Sequence, residues 1–298
     1  MKLFVTGSTG FIGRHLLSYL ETINEIEICL LISPDKDYQT DLHHVISGRL
    51  ESISEWREDL IEWQPDACIH LAWYAEPGKY LYSDKNIDLL KHSLDLMRVL
   101  IEAQCQSVVM VGTVAEYDTS VGYLHETSKT QPATIYAASK LSLAHMAERM
   151  ALDAGINFVW ARMFYLYGPQ EYKSRLVPAL INTLLQKTSF DTTKGRQVRD
   201  YLHVMDAAQA LWHLVKTNQS GIFNVCSGYP ITIRDLVIKI AAMLDAEYLV
   251  NFGAIEYRKW EPMFICGDNR KLQETGWKPH FNLESGIHQT ITWWKRQQ

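Results

Sequence analysis

Tyr136 and Lys140 stand four residues apart in a Tyr-x-x-x-Lys pair. In a helix of 3.6 residues per turn, that spacing puts a phenol and an ammonium on one face, aimed into one cleft. Such a pair could exchange protons. A phenol with an ordinary pKa near 10 is a poor acid at neutral pH, and a neighbouring cation favours its ionised form. Thr113, just beyond the apolar run at 107–111, offers an ordered hydroxyl. Delivery of hydride to a ketone builds negative charge on the carbonyl oxygen, so a proton donor and a second hydroxyl at that oxygen lower the barrier. Tyr136 is then the acid, Lys140 the cation that tunes it, and Thr113 the third member. Taken singly, the pair reads as a solvated helix contact and Thr113 as a strand-end polar group.

The opening of the chain makes the redox reading the better one. Leu3-Phe4-Val5 has the length and composition of a buried strand, and Thr6-Gly7-Ser8-Thr9-Gly10-Phe11-Ile12-Gly13 follows it directly. Glycines there permit a tight turn, close approach of backbone to a pyrophosphate, and close packing of the next helix, whose N-terminal N–H groups face the phosphates. Gly7, Thr9, Gly10, Phe11, Ile12 and Gly13 are therefore the candidate dinucleotide-binding residues. A Gly-rich pattern alone is weak, and its place between a strand and the amphipathic stretch His15-Leu16-Leu17-Ser18-Tyr19-Leu20 strengthens it.

Short apolar runs at 3–6, 26–32, 67–71, 107–111 and 158–162 alternate with amphipathic stretches at 10–22, 54–63, 84–103 and 135–154. That alternation predicts an α/β fold, a Rossmann-type doubly wound parallel sheet, followed by a less regular, mixed α/β C-terminal substrate lobe. A length of 298 residues suits such a pair of lobes. The net charge of −5 gives no support for a nucleic-acid polymer as partner. Five scattered cysteines read as buried thiols in a reducing compartment. No run approaches the roughly 20 apolar residues of a membrane span, and no leader pattern precedes the first strand, so a soluble, cytoplasmic protein is expected. His70, His125 and His203 form no ligand cluster, and no metal is expected.

These features resemble the extended short-chain dehydrogenase/reductase family, of the NAD-dependent epimerase/dehydratase type, along nearly the whole chain. Besides the two motifs above, the resemblance rests on His70-Leu71-Ala72, Asn86, Arg162-Met163-Phe164-Tyr165-Leu166-Tyr167-Gly168-Pro169 and Val198-Arg199-Asp200-Tyr201-Leu202-His203-Val204-Met205-Asp206. Phe223-Asn224-Val225-Cys226-Ser227-Gly228, Arg258 with Glu261-Pro262, and Gly276-Trp277-Lys278-Pro279 complete it. It implies a dinucleotide-binding domain at 1–165 plus 199–225 and a nucleotide-sugar-binding lobe at 166–198 plus 226–298. It further implies cofactor contacts from Leu71, Ala72, Met163 and Phe164, and a hydrogen bond from Lys140 to the nicotinamide ribose. Arg199 and Arg258 fall where the family binds the nucleotide diphosphate, and Arg175 and Val177 in the segment along the nucleoside. Tyr165 stands where the family commonly has Asn, and Arg49 where an Asp often contacts adenine. Trp73, Tyr74 and Tyr80 either cover the hexose or pack structurally. Helices near 84–104 and 135–154 carry surplus apolar surface, and the resemblance implies a homodimer through them.

Two discriminations follow. Reading Ile28–Ile32 as the second strand puts Ser33 where an acidic residue would repel a ribose 2′-phosphate, with Lys36 close by, which favours NADP(H) over NAD(H). Val114 and Ala115 follow Thr113 where dehydratases of the family place acidic residues and certain epimerising reductases a Cys. Glu116, one residue further, faces the other way if strand geometry persists. What remains is chemistry needing one hydride and one proton, closest to the nucleotide-sugar 4-keto reductases. The expectation is NADPH-dependent reduction of a nucleotide-linked 4-keto-6-deoxyhexose at C4. The alternatives are an NAD-dependent nucleotide-sugar C4 epimerase and a non-catalytic NADP-binding sensor or interaction module.

Overall fold

The apolar runs pair into one seven-stranded sheet in a computed structural model that describes residues 1–38, 40–259 and 261–298. Its first five strands are β1 (Lys2–Thr6), β2 (Glu27–Ile32), β3 (His44–Ser47), β4 (Ala67–His70) and β5 (Ser107–Thr113). The spatial order is Gly221–Val225, Asn157–Met163, β5, β4, β1, β2, β3. Pairing is parallel from β3 through to Asn157–Met163. Strand order reverses between β1 and β4, which opens the crevice where doubly wound sheets bind ligands. Leu3, Phe4 and Val5 are wholly buried, as the central strand of a sheet covered on both faces requires. The expected fold class is the observed one. β3 was not anticipated, because only Ile46 of its four residues is buried at this sheet edge.

Four helices serve this sheet: α1 (Phe11–Leu20), α2 (Ile53–Trp63), α3 (Lys85–Glu102) and α4 (Ile135–Ala154). The Thr134 hydroxyl accepts the Ala137 N–H at the start of α4, and Gly155, in the left-handed region at φ 71°, ends it. Leu96, Met97 and Leu100 of α3 and Leu143, Ala144 and Ala147 of α4 share a core with Phe4, Cys68, Met110 and Trp160. His70 pins β1, β4 and α3 together. Its Nδ1 bonds the Thr6 hydroxyl at 2.7 Å and its Nε2 the Ser93 hydroxyl at 2.9 Å. Burial pushes its pKa down to about 3, so it is a neutral structural group.

The chain divides into two compact units, Met1–Glu116 with Thr130–Met163 and Ala208–Phe223, and Tyr117–Lys129 with Phe164–Ala207 and Asn224–Gln298. In the second, Pro230–Thr232, Val198–His203 and Tyr165–Tyr167 form a mixed three-stranded sheet. Helices Leu176–Leu185, Ile233–Ala242 and Leu283–Lys295 enclose a core of Leu180, Ile181, Leu236, Ile240, Ile287 and Trp294. Residues 117–129 and 199–207, expected with the dinucleotide domain, lie in this unit. Tyr123–Leu124 pairs with Cys266–Gly267, and the Tyr117 hydroxyl donates to Asn224 Oδ1. Asp206 accepts the N–H groups of His280 and Phe281 at 2.7 and 3.1 Å. All five cysteines are free and buried. Among the described residues, no helix is long and apolar enough to cross a membrane, and no group of three or more His, Cys, Asp or Glu could hold a metal ion.

Candidate active site

The glycine turn leaves no room for side chains. A Cβ on Gly7, whose φ is +71°, would lie 2.6 Å from the Ala72 nitrogen, and one on Gly13 would lie 2.3 Å from the Gly7 oxygen. Gly10 caps α1 without a side-chain hydrogen bond, so the first N–H groups of the helix stay available. Thr9, Phe11 and Ile12 are half-buried on the same turn, and Leu71 and Ala72 run against Gly7. This turn, packed backbone on backbone ahead of the N-terminus of α1, fits a dinucleotide pyrophosphate.

β5 and α4 deliver the catalytic candidates. Thr113 ends β5, paired in register with Met163, and its hydroxyl accepts the Ala115 N–H at 3.2 Å. Tyr136 is half-buried in the first turn of α4, with the Tyr80 ring edge-on at 4.8 Å between centroids. One turn later Lys140 is buried. Its ammonium donates to the Val111 carbonyl at 2.8 Å, two residues before Thr113. Burial presses its pKa down to about 7, against the pull of the Glu116 carboxylate.

Trp73 and Tyr74 lie on the stretch between β4 and α3. The Lys140 ammonium sits 3.7 Å from the Trp73 ring centroid, and the indole N–H donates to Asn86 Oδ1 at 2.9 Å. Asn86 is wholly buried and donates to the carbonyls of Tyr80 and Ser83. These contacts tie Trp73 to α3 and α4. Tyr74 donates to Glu76, and the Lys85 ammonium lies over its ring. The Lys140–Trp73 contact was not foreseen; the available signal was an aromatic residue directly after Leu71 and Ala72.

Glu116 belongs to a short 3₁₀ turn, Val114–Glu116, rather than a continuing strand. Its carboxylate is wholly buried and accepts from the Thr113 N–H at 2.7 Å, the Trp160 indole at 3.0 Å and the Arg162 guanidinium at 2.7 Å. It holds Thr113 from behind.

Ser33 follows β2, and its hydroxyl accepts from Arg49, whose guanidinium is paired with Asp35. Lys36 is exposed on the adjoining turn. The cation nearest Ser33 is thus already balanced by a carboxylate.

In the second unit, Phe164 is buried and Tyr165 half-buried, with the Arg199 guanidinium 5.4 Å from the Tyr165 ring centroid. Arg199 is itself buried, donating to Glu261 at 2.5 Å and to the Val198 carbonyl at 2.8 Å. Arg258 is exposed. Arg175 precedes the helix Leu176–Leu185, but Val177 is buried in the core of this unit, so its side chain is not a surface for a base. Glu171, which sequence reasoning did not single out, is pushed up to about 8 by burial, with Arg175 opposing. Nothing in its sequence context signals that burial.

A turn built for pyrophosphate beside a Tyr-x-x-x-Lys helix matches what comparison with known proteins finds. The chain belongs to the NAD dependent epimerase/dehydratase family, whose model matches residues 3–226. It is an NAD(P)-dependent oxidoreductase. It is 25% identical to CDP-abequose synthase of Salmonella typhimurium strain LT2, over 97% of each chain. The solved UDP-glucose 4-epimerase of Thermotoga maritima with UDP-glucose has a TM-score of 0.86 at 21% identity, covering 100% of this chain and 99% of the other. The UDP-glucose 4-epimerase of Thermus thermophilus in complex with NAD gives 0.86 at 21%, covering 99% of each. Several similar solved structures hold NAD, which contradicts the expectation of NADP(H). At Ser33 the adjoining cation, Arg49, is paired with Asp35, and Lys36 is exposed on the next turn.

Proposed function

We propose that this protein interconverts C4 epimers of a nucleotide-diphosphate hexose with NAD(H) retained through the cycle. The observation that carries the reading is the sequestration of Glu116, the acidic residue nearest Thr113 in sequence, in a buried ion pair with Arg162. Elimination at C5 and C6, or epimerisation at C3 and C5, demands a second acid or base in this segment, and Val114 and Ala115 offer none. NAD(H), which the Gly7–Gly13 turn would hold, would supply the acceptor and donor of the C4 hydride. Tyr136 removes the C4 hydroxyl proton as the ketone forms and restores it afterwards. Thr113 donates to the C4 oxygen, and the Lys140 cation favours the phenolate. Arg199 and Arg258 suit the diphosphate, as guanidinium forks do.

A second reading, net reduction at C4 of a 4-keto-6-deoxy nucleotide sugar, has the same residues in the same roles. The similarity to CDP-abequose synthase along 97% of the chain favours it. Proton NMR of UDP-hexoses incubated with the NAD-loaded protein separates the two. Appearance of the C4 epimer without change in absorbance at 340 nm supports the epimerase. Stoichiometric NADH consumption with a 4-keto-6-deoxy nucleotide sugar, and no interconversion, replaces it with the reductase.

The proposal includes a homodimer through α3 and α4. A groove of about 410 Å³ on α3 is lined by Ile87, Leu90 and Leu94 between Lys91, Asp95 and Arg98. Ile87 and Met146 are 56% and 50% exposed. Charges of both signs flanking one apolar stripe suit a second copy related by a twofold axis.

A further inference from the structure

We propose that Trp73 is a positioning residue of the reaction, whose indole face fixes the Lys140 ammonium and keeps it charged. Lys140 offers three N–H donors, and one goes to the Val111 carbonyl. No carboxylate is ion-paired with it among the described residues. Its other observed partner is the Trp73 ring, 3.7 Å from ammonium to centroid, well inside the range where the ring quadrupole attracts a cation. The ring is held in turn. Its N–H is bonded to the buried Asn86 side chain, and Asn86 grips the carbonyls of Tyr80 and Ser83. Trp73 therefore links the 73–83 stretch and α3 to the catalytic candidate on α4.

The other titratable and charged groups around Lys140 do not supply this balance. His70 on β4 is neutral, since burial holds its pKa near 3. Glu116, in the turn after β5, attracts the ammonium from a distance while bound to Arg162. Tyr136 stands one turn earlier on α4, and Tyr80 packs edge-on against it. With burial pressing Lys140 to about 7, a modest attraction decides what fraction is charged at neutral pH.

The role in the reaction rests on the function proposed above, whereas the contact does not. The test therefore reads Lys140 directly. NAD-loaded wild type, Trp73→Phe and Trp73→Leu are treated with trace acetic anhydride from pH 5 to 11, and acetylation of the Lys140 peptide is quantified by mass spectrometry. The labelling midpoint is expected to fall by about half to one and a half pH units in Trp73→Leu, and by less in Trp73→Phe, which keeps a ring. A midpoint unchanged or raised in both variants overturns the proposal. Trp73→Phe, the smaller change, carries the test if Trp73→Leu does not fold. Failure of the wild type to turn over nucleotide hexoses would remove the reaction but leave the midpoints standing, so the two failures are distinct.

Discussion

Glu116→Gln separates the structural role assigned to this carboxylate from a catalytic one. The variant keeps the side-chain volume but removes the charge opposite Arg162, whose side chain is 2% exposed. Taking one partner from a buried ion pair costs about 3–5 kcal/mol, because the remaining charge is left uncompensated. The Gln amide oxygen can keep the donors that meet one of the two carboxylate oxygens, either Thr113 with Trp160 or Trp160 with Arg162, and its NH₂ then faces the donor left over. For a chain of this length about 2 °C of melting temperature goes with each kcal/mol, so a fall of roughly 6–10 °C is expected. Circular dichroism melts on the NAD-free protein measure it, with turnover assayed well below the lowered transition. Measurable turnover is expected there, since no step runs through the carboxylate. A variant with near-native melting and abolished turnover would refute the reasoning and make Glu116 an acid or base of the chemistry, as in a dehydratase.

Tyr136→Phe should lower turnover by about two to four orders of magnitude while NAD binding, followed by calorimetry, persists; near-normal turnover would exclude Tyr136 as the proton carrier. His70 is neutral in the folded protein and protonates near 6.5 when unfolded, so the unfolded chain binds more protons between those values. Its contribution to stability is thus lost as pH falls from about 6.5 toward 3, at up to about 1.4 kcal/mol per pH unit. In urea titrations His70→Gln should flatten that slope, and an identical slope would place the acid sensitivity elsewhere. The double variant Leu90→Glu with Leu94→Glu puts two carboxylates into the α3 groove, and sedimentation velocity should then find half the wild-type mass. Equal masses would argue against α3 as the interface.

Elements that bury a face all along their length were legible. The helix expected at 135–154 is observed as Ile135–Ala154, because its Thr134 cap and Gly155 stop are written locally. The glycine cradle was legible for the same reason, its steric demands lying within a few residues. β3 escaped because an edge strand with one buried side chain carries no period. That residues 117–129 and 199–207 belong to the second compact unit was not legible, since their partners are distant in sequence: Asn224 for Tyr117, and His280 and Phe281 for Asp206. The cofactor reading failed at one position. Ser33 was read as an isolated gap in charge, while Arg49, 16 residues on, bonds it and is paired with Asp35. Trp73 illustrates the same limit, since nothing local says that its ring meets Lys140, 67 residues away along the chain.

The five cysteines have a practical consequence. Each is buried, and burial raises every one of the thiols, those of Cys29, Cys105 and Cys266 to about 12. Since the thiolate is the nucleophile, the native protein should be silent to maleimides and aromatic disulfides. Any reaction then reports an opening event. Cys29, Cys68 and Cys105 lie in the first unit and Cys226 and Cys266 in the second, so labelling kinetics resolved by peptide would time the breathing of each unit separately. A cysteine introduced on the surface would be the sole fast-reacting handle, usable for a fluorophore without first removing the native five.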